Sequence, residues 1–222
     1  MSDHPRVLVR RLGRRDYRET WEAMREFTDA RTPTTASELW MLEHNPVFTQ
    51  GQAGKPEHLL NPGSIPVIQS DRGGQVTYHG PGQIVIYLLL SLREAGLGVR
   101  GLVSAMEDSV IALLGQHDVL AQARPDAPGV YVGDAKIAAL GLRVRRGYTY
   151  HGLSLNVDMD LEPFSRINPC GYRDMPVTQA RDLGISTPLP ELATTLIEQL
   201  CQRTGYRATS PHRSPVEPGH RQ

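Results

Sequence analysis

The chain of 222 residues has no apolar segment that approaches the roughly 20 consecutive residues needed to cross a bilayer. Its first residues also lack an apolar core of signal-peptide length. Only two cysteines are present, Cys170 and Cys201, and their spacing fits neither a disulfide framework nor a CxxC metal site. The lack of a membrane-spanning segment, a signal peptide and a disulfide framework favours a cytoplasmic protein with reduced thiols and no membrane partner.

The chain also has no excess of positive or negative charge, because its 24 basic and 24 acidic residues give a formal net charge of zero. A balanced chain gives no reason to expect nucleic-acid binding. There is no GxxxxGK[ST] phosphate-binding loop, and no HxxxH pair or His/Cys/Asp cluster. We therefore expect neither nucleic acid nor a metal among the ligands.

Lysine is scarce, and this scarcity singles out one position. Of the 24 Lys and Arg residues, only Lys55 and Lys136 are lysines. Arginine keeps its proton in proteins, whereas a buried lysine can lose it. Lys136 lies in GDAKIAALGLRV, where a strand would place Ala138 and Leu140 on its face. A proton-transferring lysine and a solvated strand-edge lysine both fit this pattern.

The most distinctive segment present is RGGQVTYHGPGQIVIY, residues 72–87. Its four glycines allow the backbone to turn and to approach a ligand closely. Polar side chains alternate with them, and the apolar run from Ile84 to Leu90 predicts a buried strand behind the loop. A glycine-rich hairpin connection would share the glycines, but the density of Arg, Thr, Tyr and His favours a binding loop.

Hydrophobic periodicity predicts an α/β fold with a mixed sheet flanked by helices, because strands and helices alternate without a strict βαβ order. Asp16 predicts the start of the first helix, and residues 45–63 are expected to form a surface loop. We expect one domain over residues 1–206 and a disordered, Pro-rich tail over 207–222. The predicted strands cover residues 7–12, 37–43, 65–69, 84–90, 129–133, 136–145 and 149–157, and further helices include Leu102 to Leu113 and Leu189 to Leu200.

The two cysteines have different surroundings. Cys170 lies in NPCGY, a tight irregular segment in which a thiol would be accessible. A nucleophile and an idle loop cysteine both fit this setting. Cys201 follows Ile197 and Leu200 at helical spacing, which predicts a small core residue. His151 lies on an apolar strand, which is typical of a structural histidine.

Three segments, taken in order, resemble one enzyme family. RGGQVTYHGPGQIVIY resembles the signature of the lipoyl(octanoyl) transferases of lipoate biosynthesis, GDAKIAALGLRVRRGYTYHGLSLNVD resembles their second block, and RINPCGYRDMPVT resembles their third. The resemblance extends over most of the chain between the first helix and the last. It implies the fold of the biotin and lipoate protein ligase catalytic module, with a mixed, largely antiparallel sheet.

The family transfers an octanoyl group from acyl carrier protein to a lysine of a lipoyl domain. The resemblance implies that Cys170 is the nucleophile that carries the acyl thioester, that Lys136 activates its thiol, and that neither ATP nor a metal is required. It further implies a monomer whose acceptors are lipoyl domains of 2-oxoacid dehydrogenase complexes and the glycine-cleavage H protein. The matching substrate-binding positions are Arg72, Gly73, Gly74, Gln75, Val76, Thr77, Tyr78, His79, Ala139, Leu140, Gly141, Gly152, Leu153 and Ser154.

An eight-carbon chain requires an apolar cavity with a polar mouth, and we expect Tyr78, Leu140 and Leu153 to supply its wall and His79 to lie at the reacting end. Two other functions use the same scaffold. An ATP-dependent lipoate or biotin ligase adenylates a free acid and needs no cysteine nucleophile. A non-catalytic acyl-binding module would use the pocket without covalent chemistry. Cys170 in NPCGY, with Lys136 upstream, favours the transferase.

Overall fold

The computed structural model describes residues 4–169 and 175–209, which contain eleven strands and four α-helices. The strands are β1 (Arg6–Arg15), β2 (Ser37–His44), β3 (Val47–Gln50), β4 (Val67–Gln69), β5 (Val76–His79), β6 (Gln83–Leu89), β7 (Gln122–Ala123), β8 (Gly129–Val132), β9 (Ala135–Arg145), β10 (Tyr148–Asn156) and β11 (Arg207–Thr209). The helices are α1 (Tyr17–Ala30), α2 (Leu92–Ala95), α3 (Val99–Gly115) and α4 (Leu189–Thr204). None of these helices has the length and apolarity that a bilayer crossing requires.

The strands form two sheets. The larger has eight strands in the order β11-β1-β2-β6-β10-β9-β8-β7, and the smaller has three in the order β4-β3-β5. In the larger sheet β1 runs parallel to β2 and β11, and the other neighbours are antiparallel. The predicted mixed, largely antiparallel sheet with flanking helices is confirmed.

Helices cover both faces of the larger sheet. α1 begins after Asp16, whose carboxylate accepts a hydrogen bond from the backbone N–H of Glu19 at 3.1 Å, as its sequence predicts. Met24 of α1 packs with Tyr87 and Tyr150 on one face. α3 and α4 pack on the other face with Ile84, Ile86 and Leu88 of β6, so β6 is buried on both sides.

Cys201 lies in this second layer, on α4, and is 8% exposed. Burial raises the pKa of its thiol to about 11, so the group stays protonated and unreactive at neutral pH. The prediction of a small core residue is confirmed.

Two sequence predictions are wrong. Residues 45–63 are not a surface loop throughout, because Val47–Gln50 forms the buried central strand of the smaller sheet. Residues 207–222 are not a disordered tail throughout, because Arg207–Thr209 pairs in parallel with β1 and satisfies backbone groups at that edge of the sheet. Residues 210–222 lie outside the described residues, so the rest of that prediction stays untested.

Candidate active site

A cavity of about 400 Å³ lies against β9 and β10 of the larger sheet, under the glycine-rich loop of residues 72–75. Its volume falls in the range of small-molecule sites. At one end Lys136 lies near exposed residues, among them Asp126, Pro128 and the 45%-exposed Val99. At the other end His151 is only 1% exposed, whereas its pairing partner Leu142 and the neighbouring Gly73 are half-buried. The cavity therefore has a mouth near Lys136, and the buried His151 lies at its other end.

All but one of the predicted substrate-binding residues line this cavity, and their contact with substrate stays a prediction. The exception is Tyr78, whose ring lies 5.4 Å from that of Phe48 and 5.5 Å from that of Phe164 in a separate apolar cluster. Thr77 and His79 line the cavity, as does Val76, whereas Tyr78 is directed into that cluster, contrary to expectation. The lining residues are Arg72, Gly73, Gly74, Gln75, Val76, Thr77, His79, Ala139, Leu140, Gly141, Gly152, Leu153 and Ser154.

Arg72 shapes the loop that covers the cavity. Its buried guanidinium donates hydrogen bonds to the carbonyl of Gln75 at 2.7 Å and to that of Gly73 at 2.9 Å. The same group reaches the hydroxyl of Thr49 on β3 at 3.0 Å. The backbone N–H of Gly73 then donates to the carbonyl of Leu142 at 3.0 Å, which fastens the loop to β9. These contacts hold the cavity roof in place.

Lys136 is buried at the mouth, and only 5% of the residue is exposed. Its Nζ donates to the carbonyl of Pro128 at 3.0 Å and lies 5.3 Å from the ring centroid of Tyr131, within cation–π range. A register shift in the β8–β9 pairing places Lys136 opposite Tyr131 and Ala138 opposite Val130. The alternation with Ala138 expected from the sequence is interrupted there, and the alternative of a solvated lysine is wrong.

Cys170 lies outside the described residues, in the gap between 169 and 175. The described chain on each side of that gap reaches the cavity, since both Pro169 and Val177 line it. Val177 forms a parallel bridge with Lys136, whose N–H donates to the carbonyl of Pro176 at 2.8 Å. Both flanks of the gap therefore border the cavity that contains Lys136.

Three buried histidines line or support the inner wall. Nδ1 of His79 donates to the side-chain carbonyl of Gln83 at 2.7 Å, and burial lowers the pKa of His79 to about 3. Nε2 of His44 lies 2.7 Å from the hydroxyl of Tyr87, and burial lowers the pKa of His44 to about 4. Both rings are neutral at physiological pH. The expected place of His79 at the reacting end stays a prediction.

Asp71 was not identified from the sequence as a site residue, and His151 was considered for a pocket-lining role but interpreted as structural. Nε2 of His151 lies 2.9 Å from the Asp71 carboxylate, which also accepts from Trp21 at 2.7 Å and from the hydroxyl of Tyr150. Burial works against ionisation of Asp71, but these hydrogen bonds outweigh it and hold the pKa of the carboxyl below its usual range. Asp71 directly precedes the glycine-rich segment, which was the one signal available in the sequence.

No group of His, Cys, Asp and Glu side chains within residues 4–169 and 175–209 has the arrangement of a metal site. The polar groups of the cavity are amide, imidazole, hydroxyl and amine groups, together with the Arg72 guanidinium, which bonds to the loop carbonyls, and the exposed Asp126 at the mouth. Together with the apolar lining from Val76, Val85, Leu140 and Leu153, they suit an uncharged, extended ligand with a reactive end at the mouth.

Comparison with known folds places this architecture among the lipoate and biotin ligases. A lipoate-protein ligase A bound with ATP superposes with a TM-score of 0.76, covering 95% of this chain and 90% of that one at 15% identity. A biotin protein ligase from Aquifex aeolicus gives a TM-score of 0.54, covering 90% of this chain and 69% of that one at 10% identity. At these identities the likeness shows the fold alone, and it confirms the fold that the resemblance implied.

Sequence comparison is more specific. Residues 16–201 match the lipoyl protein ligase A/B catalytic domain. An octanoyltransferase from Alkalilimnicola ehrlichii is 62% identical over 190 residues, which are 86% of this chain and 88% of that protein. One from Stutzerimonas stutzeri is 62% identical over 200 residues, which are 90% of this chain and 91% of that protein. With matches of this extent, the chain belongs to the lipoyl(octanoyl) transferase family.

Proposed function

We propose that this protein transfers an octanoyl group from acyl carrier protein to a specific lysine of lipoyl domains, the first step of protein lipoylation. The proposal rests on the buried Lys136 at the mouth of an apolar cavity. The described residues on both sides of Cys170 border this cavity, and the chain belongs to the octanoyltransferase family. The acceptors proposed are 2-oxoacid dehydrogenase lipoyl domains and the glycine-cleavage H protein.

The donor thioester suits the shape of the cavity. An octanoyl chain is apolar and extended, so it fits inside, while the phosphopantetheine that carries it stays at the mouth near Val99 and Pro128. A thioester is already activated for acyl transfer, so neither ATP nor a metal is needed. This separates the proposal from the ligases that share the fold.

The first half-reaction forms an acyl-enzyme. The thiolate of Cys170 attacks the octanoyl carbonyl, a new thioester forms at Cys170, and the phosphopantetheine sulfur leaves. An unperturbed thiol with a pKa near 8.5 is only a few per cent thiolate at neutral pH, so a base must accept its proton. Lys136 would accept that proton and return it to the departing sulfur, a shuttle that arginine cannot perform.

The second half-reaction forms an amide. The amine of the acceptor lysine attacks the Cys170 thioester, and the Cys170 thiolate leaves. The amine loses one proton, which Lys136 would accept and pass to the thiolate, so the enzyme returns to its starting state. Carbon–nitrogen bond formation is thereby balanced by loss of the carbon–sulfur bond.

Intact mass measurement tests the covalent step. Mixing the protein with octanoyl-acyl carrier protein should add one octanoyl mass, and peptide mapping should assign it to Cys170. The Cys170→Ser variant should show no thioester adduct and no transfer, while Cys201→Ser should behave like the wild type because Cys201 is buried in the α4 layer. Mapping of the acyl group to any other residue would contradict the assignment.

A second reaction distinguishes the transferase from a ligase. The protein is incubated with a lipoyl domain, free octanoate, ATP and Mg²⁺, but without acyl carrier protein. We expect no octanoylated lipoyl domain, whereas the same domain should be modified once octanoyl-acyl carrier protein replaces octanoate and ATP. Product in the first mixture would favour the ligase.

A further inference from the structure

One residue of the cavity lining contains a buried polar atom without a hydrogen-bond partner. Nδ1 of His151 makes no hydrogen bond within the described part of the chain, and His151 lies at the end of the cavity away from Lys136. A buried, unsatisfied polar atom is uncommon in proteins and points to a role for the site. The opposite ring nitrogen, Nε2, is fixed at 2.9 Å from Asp71.

The protonation of this ring follows from its partner. The Asp71 carboxylate is ionised and can only accept hydrogen bonds, so Nε2 of His151 carries the proton. Burial lowers the pKa of His151, against the opposing influence of Asp71, and the imidazole is neutral at physiological pH. Nδ1 therefore carries the lone pair, and this atom is enclosed by protein.

The backbone of His151 is strained in a way that sets the position of the ring. Its φ of 61° lies in the left-handed region, which non-glycine residues seldom adopt within a strand. As a result, the rings of His151 and its neighbour Tyr150 stack with centroids 5.0 Å apart, and both bond to Asp71. Two hydrogen bonds to one carboxylate and a stacked neighbour hold the imidazole rigidly.

The length of the cavity can be read from the strand register. The ammonium of Lys136 lies against Gly129, where a built Cβ would be 2.9 Å from Nζ, and Gly129 is the pairing partner of Ala139. His151 pairs with Leu142, three residues farther along β9. Three residues of a strand span roughly 10 Å.

The cavity between these two ends has a lining of small residues. Two cross-strand pairs, Ala139 with Ser154 and Gly141 with Gly152, lie there, so little side-chain volume occupies the path. The seven carbon–carbon bonds of an extended octanoyl group span roughly 9 Å, because each bond of about 1.52 Å is inclined to the axis of the zigzag. The available distance and the length of the acyl chain therefore match.

From this geometry we propose that His151 is the residue that fixes acyl-chain length: its imidazole ends the acyl path about eight carbons from the reacting end. The inference rests on the proposed function, because it takes the thioester to lie beside Lys136 with the methyl end pointing inward.

A longer chain would meet two obstacles at this ring. The imidazole cannot swing aside without breaking its bond to Asp71 and its stacking on Tyr150. The left-handed backbone of His151 is a second obstacle, because it fixes the position from which the ring extends. A Leu or Val side chain at position 151 would be held in place less firmly than this imidazole.

The test compares hexanoyl-, octanoyl-, decanoyl- and dodecanoyl-acyl carrier protein as donors for the wild type and two variants. His151→Gly removes the ring, and glycine suits the positive φ, so this variant should fold. His151→Phe keeps a ring of similar size but removes the lone pair and the bond to Asp71. Urea unfolding of each protein gives the fraction folded, and calorimetry with free octanoic and decanoic acids gives binding without turnover.

We expect the ratio of decanoyl to octanoyl kcat/KM to rise at least about tenfold in His151→Gly, since one methylene in an apolar pocket is worth about that factor. His151→Phe should give a smaller rise. An unchanged ratio in a folded His151→Gly variant that still transfers octanoate would overturn the proposal. If the wild type binds octanoic acid with the expected length preference but transfers no acyl group, the proposed function is wrong, while the role of His151 in limiting chain length stands.

Discussion

The side chain of Lys136 fills the space that a side chain at Gly129 would need. A side chain on Gly129 would collide with Cε of Lys136 and would stand 2.9 Å from its Nζ. The amine instead lies across the bare backbone of β8 and donates to the carbonyl of Pro128. The position of the proposed proton acceptor thus depends on a residue that has no side chain, and each partner of this contact can be tested separately.

Replacement of the lysine tests the proton shuttle. Lys136→Arg retains positive charge and donors but cannot accept a proton, so we expect octanoyl transfer to fall by at least about 100-fold. Lys55→Arg is the matched control, because Lys55 is the other lysine and its side chain is 62% exposed beside Glu57. Steady-state kinetics should show wild-type turnover for the control. Equal activity of the two variants would remove Lys136 from the chemistry.

Replacement of the glycine tests the position of the amine. Gly129→Ala should displace the Lys136 side chain and also strain the backbone, because its Cβ would lie 2.8 Å from the carbonyl oxygen of Ala138 and its φ is 147°; we expect transfer to fall at least about tenfold, a loss of roughly 1.4 kcal/mol in transition-state stabilisation. Gly133→Ala lies in the same hairpin at φ 56° with nothing within 4 Å of the added Cβ. It should cost about 1 kcal/mol of stability through backbone strain and leave turnover unchanged. Similar turnover in both variants would show that the contact with Lys136 is unimportant.

The sequence predicts which segments form the site, but it does not predict the orientation of every side chain in them. The resemblance places Thr77, Tyr78 and His79 together at the substrate, but Tyr78 packs in the cluster with Phe48 because the position of the smaller sheet is not encoded locally. His151 seemed structural because a regular strand was assumed. Its φ is positive and its ring bonds to Asp71 beside the cavity, and a backbone outlier of this kind has no signature in the sequence.

At the scale of secondary-structure elements, the turn between β5 and β6 joins the glycine-rich segment to the end of β10. The carbonyl of Gly82 accepts hydrogen bonds from the N–H groups of Val157 and Asp158 at 3.1 and 3.0 Å. Its own N–H donates to the Glu43 carboxylate at 2.7 Å. A Cβ at Gly82, which has φ 82°, would collide with the backbone carbonyl of Asp158. Only glycine allows so close an approach.

Gly82→Ala should therefore be among the more damaging single substitutions in the fold. We expect it to lower the free energy of unfolding by at least about 3 kcal/mol, because a backbone collision adds to the strain of a positive φ. Gly13→Ala shares the positive φ, at 68°, but has nothing within 4 Å of its Cβ, and should cost only about 1 kcal/mol. Urea unfolding measures both. If the two losses were the same, the docking of this turn on β10 would contribute little.

Elements with a strong pattern were predicted well. The capped start of α1, the apolar run of β6 and the β8–β9 hairpin all appear where periodicity and turn residues place them. The missed strands are short: β3 and β5 have four residues each, β11 has three and β7 has two. Strands of this length exist through pairing with distant neighbours, and a short window of sequence contains no information about that pairing.

At the scale of the whole molecule, folding buries histidines in their neutral form. His44 and His79 have pKa values lowered by burial to about 4 and about 3, whereas a histidine in the unfolded chain titrates near 6.5. Between these values the unfolded chain binds more protons than the native one. Acid therefore favours unfolding in this window, and the full stability is present above pH 6.5.

We expect the free energy of unfolding to fall as pH decreases from about 6.5 to 4, by up to about 1.4 kcal/mol per pH unit for each histidine. Urea titrations at several pH values measure this slope. His79→Gln should reduce it, since one buried imidazole is lost, while His4→Gln should leave it unchanged because His4 is exposed. A slope that His79→Gln does not alter would mean that this ring gains its proton without unfolding.

The pairing of β11 with β1 brings the beginning and the end of the described chain side by side. Arg6 is opposite Arg207, and the N–H of Arg207 donates to the carbonyl of Pro5 at 2.8 Å. A linker of a few residues would join the two ends, and the resulting circle could be opened between α3 and β7, near the 93%-exposed Leu120. The strands can therefore keep their arrangement when the order of the segments along the polypeptide changes. A circularly permuted gene can encode the same sheet and cavity.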